Sequence, residues 1–227
     1  MRKGIGEWRV LSLSVLLLCG CSSLPTWVPF TRETPDRLPG VLAPHEKIAT
    51  LRQLAEGAPS KGADERERLI DELLQALPQE KDPMIRSEII TTLAAYPGDR
   101  VDAVLSRALE DPDRDVQLAT CAAWGRRGGP QACAALSRAL QTSNDRDVRL
   151  AAARGLGDVR DPAAVAALGS VLEDRDPALQ HRAVQSLRAA TGEDFGNDVN
   201  AWRQYVRGET PRPRAPTSLA ERFRTVF

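Results

Sequence analysis

Between residues 83 and 195 the apolar positions fall on one face of a helix, and the same pattern comes round four times. Ile85, Val116, Val148 and Leu179 stand 31, 32 and 31 residues apart, and eight residues after each comes Leu93, Trp124, Leu156 or Leu187. Small side chains such as Ala119, Ala123, Ala151, Ala152 and Ala183 fill the positions between, and the i, i+3, i+4, i+7, i+8 spacing predicts helices rather than strands. Each run follows an acidic turn: Asp82-Pro83, Asp113-Arg114-Asp115, Asp145-Arg146-Asp147 and Asp176-Pro177. A carboxylate there can accept free N–H groups at the positive end of the helix dipole. Pro97-Gly98, Gly128-Gly129-Pro130 and Asp161-Pro162 break the chain, and second helices are predicted over 99–110, 131–141 and 163–173.

Each unit is thus an αα-hairpin that cannot bury its own apolar face and must stack on its neighbours, which predicts an all-α solenoid over residues 45–190. Residues 45–56 and 64–77 form a degenerate first hairpin, with Ile48, Leu51, Leu54, Leu69, Leu73, Leu74 and Leu77 apolar. Terminal repeats are atypical because one of their faces meets water. At the far end, over residues 191–208, Phe195, Trp202 and Tyr205 sit at spacings suited to a capping helix, with a ligand cage as the alternative.

These units resemble HEAT repeats of the short, phycobilisome-lyase type, whose pattern runs Asp-Pro-x-Val-Arg, Ala-Ala, Leu-Gly, Asp-Pro. Val148-Arg149, Ala151-Ala152, Leu156-Gly157 and Asp161-Pro162 copy it most closely, while Gln117, Gln180 and Trp124 depart from it. The segment 191–208 resembles the closing element of some bacterial HEAT-repeat proteins. The resemblance implies a hydrogen-bonded ladder of repeated Arg and Asp, here Arg86 and Arg149 with Asp113, Asp115, Asp145 and Asp147. Periodic placement marks these as structural, since an active site needs unique residues. HEAT arrays commonly line their concave side with second helices, which makes Arg107 and Arg138, repeated at one position, the predicted partner contacts.

The chain opens differently. Arg2, Lys3 and Arg9 precede an apolar run over residues 10–18 and then Gly20, the order of a secretory signal over residues 1–20. That run rises only about 14 Å as a helix, against roughly 30 Å of bilayer hydrocarbon, so it does not predict a permanent span. Leu18-Cys19-Gly20-Cys21 resembles the lipobox of bacterial lipoproteins, with Cys19 departing from the usual Ala, Ser or Thr. The resemblance implies that Cys21 carries the lipid and anchors the chain in the cell envelope, on the periplasmic face of the outer membrane. Ordinary cleavage that leaves Cys21 a bystander thiol is the alternative. Residues 21–44, with prolines at 25, 29, 35, 39 and 44, read as a stiffened tether.

Composition narrows the function classes. In 227 residues, 31 basic side chains balance 31 acidic ones, which removes the electrostatic footprint of a nucleic-acid binder. Arginines 203, 207, 212, 214, 222 and 224 concentrate positive charge at the end, and residues 209–227 form a basic Pro/Arg-rich tail. His45 and His181 are the only histidines and have no second ligand at metal spacing. No nucleophile elbow, phosphate loop, Cys-x-x-Cys or His-Glu-x-x-His occurs, so no catalytic residue, metal or cofactor is expected. Some HEAT-like proteins are glycosylases or bilin lyases, but export and neutral charge argue against a nucleobase pocket.

Cys121 and Cys133 fall on the two helices of one hairpin at similar distances from its turn, so they read either as a disulfide or as two small core residues. The function expected is a non-enzymatic, lipid-anchored interaction scaffold for an envelope protein partner. The alternative is an envelope-polymer binder that engages cell-wall or lipid phosphates through the basic tail.

Overall fold

Asp82, Asp113, Asp145, Asp161, Asp176 and Asp198 each cap a helix by accepting a backbone N–H two residues on, at 2.7 to 3.0 Å. The computed structural model describes residues 43–211, and ten α-helices lie among them. They are α1 (Pro44–Gly57), α2 (Ala63–Ala76), α3 (Pro83–Leu93), α4 (Asp99–Ala108), α5 (Arg114–Arg127), α6 (Gly129–Thr142), α7 (Arg146–Val159), α8 (Pro162–Val171), α9 (Pro177–Thr191) and α10 (Val199–Val206). No strand occurs among the described residues. The signal segment, Cys21, the tether up to residue 42 and tail residues 212–227 lie outside them.

The first helices of the hairpins, α1, α3, α5, α7 and α9, pack each on the next as one layer, and α2, α4, α6 and α8 form the second. The anchors Ile85, Val116, Val148 and Leu179 are all buried, as are Leu93, Trp124, Leu156 and Leu187. Missing side chains set the spacing of the first layer. A Cβ on Gly125 would come within 3.0 Å of the Gly155 Cα, and one on Gly157 within 2.9 Å of both the Cα and Cβ of Ser186. Gly128 ends α5 and caps α6 at φ 67°, a left-handed conformation that costs glycine least and lets the hairpin turn with no linker.

Side-chain bonds stitch successive hairpins. The Thr92 hydroxyl donates to Leu51 O at 3.1 Å and the Tyr96 hydroxyl to Leu54 O at 2.8 Å, tying α3 and the turn after it to α1. Arg127 donates to Tyr96 O at 2.6 Å and Ala94 O at 3.2 Å, and pairs with Asp102 at 2.6 Å. At the far end Trp202 is fully buried, its ring edge-on to Phe195 with centroids 4.9 Å apart, and its indole N–H donates to Gly196 O. Val206 lies so close over Gly169 that a side chain there has no room. Phe195, Trp202 and Tyr205 therefore pack on one another as a lid on α8 and α9.

The ladder exists with different acids from those the repeat pattern groups. Arg86 makes a two-pronged bond to Asp111, at 2.9 and 3.1 Å, and Arg149 pairs with Asp174. Asp113 and Asp145 are spent on helix caps, and Asp115 and Asp147 reach only Arg114. The departures follow the same logic. Ser143 stands where Asp111 and Asp174 stand in the neighbouring units, and the residue that would reach it is Gln117, not arginine. Gln117 keeps the other half of the task and donates to Asp111 O at 2.6 Å, as Gln180 does to Asp174 O at 2.7 Å. Arginine is present where the next turn offers a carboxylate and absent where it does not. The double substitution Gln117→Arg with Ser143→Asp should add a rung and stabilise the chain by about 0.5–1 kcal/mol in urea unfolding, with each single change neutral or unfavourable.

Backbone N–H groups hold these turn carboxylates in their charged form. Asp174 accepts from Asp176 N at 2.8 Å and from Arg149, which holds it below the usual carboxylate range. Glu80 is lowered likewise, first by Asp82 N and then by Lys47. Because the folded values are depressed, the stabilisation is complete above the unfolded-state values and is lost as pH falls through the folded ones. The melting temperature should therefore decline as acid takes the solution through and below the usual carboxylate range. Asp174→Asn should flatten that decline, as read by thermal scans at stepped pH.

Candidate second-helix interaction face

Because α2, α4, α6 and α8 pack mainly on the first layer, clefts open between them. The larger, of about 420 Å³, lies between α2, α3 and α4, with Leu74, Leu77, Ile90, Val104 and Ala108 as apolar walls. Arg107 stands on its rim beside the Arg86–Asp111 rung. The next, of about 340 Å³, separates α4 from α6 and is more polar, with Gln117, Ser143 and Asp145 at its turn end and Arg138 on its rim. Gln117 and Ser143, between which no rung forms, both line it.

Arg107 and Arg138 thus occupy the same place in successive hairpins, each exposed and each without an ion pair to a described residue. Their guanidinium groups keep full hydrogen-bonding capacity for a partner, with two-pronged recognition of carboxylate as their strongest mode. Exposed Glu110 stands on the polar cleft between them. The apolar walls beside Arg107 supply the drier part of the face.

Cys121 and Cys133 are both buried free thiols. The Cys121 Sγ faces Val148 O of α7 at 4.0 Å, and burial pushes its pKa up to about 12. Burial also raises Cys133, against a lowering bond from Ser137. Both therefore stay protonated near neutral pH, the unreactive form. His181 is exposed and bonds only Gln185, four residues along α9. Among the described residues no group of three His, Cys, Asp or Glu is placed to hold a metal ion, and no helix is long and apolar enough to cross a membrane.

A two-layer stack of αα-hairpins, capped at one end and grooved between its second helices, defines an α-solenoid repeat protein. The family profile described as HEAT repeats matches residues 70–154 and 139–195, more than half of the sequence, and the chain belongs to the HEAT-repeat family. The match begins inside α2 and leaves α1 outside it. No curated protein matches the chain. HEAT-repeat proteins are in general non-enzymatic scaffolds for protein interaction.

Proposed function

We propose that this chain is a lipid-anchored, non-catalytic scaffold of the bacterial cell envelope that presents its second-helix face to a protein partner. The observation that carries this reading is the pair of clefts between second helices, each rimmed by an unpaired arginine at the same repeat position. An extended face of this kind suits recognition of a partner better than turnover of a small substrate. Cys21, as the lipobox residue, supplies the anchor, and the proline-rich stretch after it supplies reach from the outer membrane.

In-cell cross-linking of the tagged full-length protein, followed by purification and mass spectrometry, tests both halves. One or two envelope proteins should be recovered with wild type and lost or changed with Cys21→Ala. Arg107→Glu with Arg138→Glu should cut that recovery roughly tenfold while leaving the helical circular dichroism intact. Unchanged recovery with the double variant removes this face from the interface. Recovery of glycan or lipid fragments alone would favour binding through the basic tail and leave the solenoid a spacer.

A further inference from the structure

We infer that the outward face of the first-helix layer is a second docking surface, and that its occupant is an acidic α-helix with carboxylates seven residues apart. It is a different face from the one proposed above and does not depend on it.

Arg126 on α5, Arg154 on α7 and Arg182 on α9 are spaced by 28 residues, a repeat less about one helical turn. On stacked helices that interval draws a diagonal across the layer. Arg126 and Arg154 are exposed and Arg182 half-buried, and none of the three makes an ion pair or hydrogen bond with a described residue. Other arginines of the first helices are engaged: Arg86 with Asp111, Arg127 with Asp102, Arg149 with Asp174 and Arg188 with Asp194. Three guanidiniums are thus left aligned and available.

The ground on the turn side of the diagonal is low. Ala119 and Ala122 of α5 and Ala151 of α7 share its outward face, partly or fully exposed, so a second backbone can approach closely. Asp158 lies on the other side, leaning against α5 at Gly125, and is the carboxylate nearest the line in the repeat register. It sits four residues after Arg154 without pairing to it.

Geometry selects the occupant. Helices packed about 8–10 Å apart and stepped by one turn of 5.4 Å place successive arginines about 10 Å apart. Seven residues of an α-helix rise about 10.5 Å and return to nearly the same face, so carboxylates at i, i+7 and i+14 meet all three cations. The diagonal lies roughly 60° from the layer's helix axes, within the scatter of the commonest helix-packing class near 50°. A broad anionic surface fits less well, because the turns before α5 and α7 carry four carboxylates, Asp113, Asp115, Asp145 and Asp147, against two cations, Arg114 and Arg146, and would repel it. A line of charge beside small residues is matched by a helix.

The test uses fluorescence anisotropy with the full-length chain in detergent and two labelled helical peptides of one composition. One carries Glu at i, i+7 and i+14, and the other carries the same residues spread around the helix. The in-register peptide should bind at least about tenfold more tightly, and Arg126→Glu, Arg154→Glu and Arg182→Glu together should abolish the difference. A peptide with Lys in place of the three Glu should gain affinity for that triple variant, which also shows that the variant is folded. Arg107→Glu with Arg138→Glu should leave peptide binding unchanged, whatever it does to partner recovery. Equal binding of the two peptides, or a preference that survives the triple substitution, overturns the inference. Arginine-dependent binding to phosphatidylglycerol vesicles without peptide discrimination would overturn it in favour of a lipid surface.

Discussion

Gly157→Ala should destabilise the chain by about 2 kcal/mol in urea unfolding, against the direction that helix propensity alone dictates. Alanine in a helix interior is favoured over glycine by close to 1 kcal/mol when nothing else changes. Gly157 is inside α7, so a propensity account expects a gain. The new Cβ, however, would meet the Cα and Cβ of Ser186 at 2.9 Å and its Oγ at 3.1 Å. The first two belong to the core of α9 and cannot swing aside as the tip of a long side chain could. The α7–α9 spacing would have to widen, and the fully buried Ala152, Ala153 and Ala183 of these helices would lose contact along with it. Gly57→Ala is the control, because its Cβ would meet only the flexible end of Lys61 at 3.7 Å and should be neutral or gain up to about 1 kcal/mol. A rise in stability for Gly157→Ala would show that the two helices do not approach so closely.

Trp202→Ala should cost about 3–5 kcal/mol, and the loss should be confined to one end. Trp202 is fully buried, and it holds Phe195 and Tyr205 against the last hairpin. Without it α10 keeps Val206 over Gly169 and the bonds of Arg203 and Arg207 to Leu172 O and Glu173 but loses its buried anchor, and the apolar side of α8 and α9 meets water. In an array where each unit contacts only its neighbours, such damage decays along the stack instead of unfolding it as a whole. Hydrogen exchange should therefore show α8 to α10 losing protection while α3 and α5 keep theirs. Uniform loss across all hairpins would instead mean that the stack behaves as a single cooperative body.

The hairpins were legible because their signals are local and repeated. Asp before the first turn, anchors a repeat apart and Gly or Pro at the break are each decided within a few residues, and the helices stand where those signals put them. The first hairpin was legible in outline, although Ile70, one of the two buried residues of α2, was hidden beside the more conspicuous Leu69. Bonds across hairpins were harder to read. Nothing local tells that Tyr96 reaches back to Leu54 O or that Arg127 bridges to Tyr96 O and Asp102, since each depends on where a distant backbone comes to rest. The rungs show the same limit: the register of Arg86 and Arg149 was visible, but the caps had already taken the nearest aspartates. For the second-helix face, sequence pointed to Arg107 and Arg138, and the clefts between α2, α4 and α6 came only with packing.

The absent rung at Gln117 and Ser143 has a mechanical consequence. In the first-helix layer, glycine-to-backbone packing holds α5, α7 and α9 close together. The α5–α6 hairpin lacks the arginine brace that ties α3 to the turn after α4 at Arg86–Asp111 and α7 to the turn after α8 at Arg149–Asp174. With one brace fewer, that hairpin should resist the splaying of α5 from α6 less than it would with a rung in place. The polar cleft, lined by Gln117, Ser143 and Arg138, would then change its width with the splay of that hairpin.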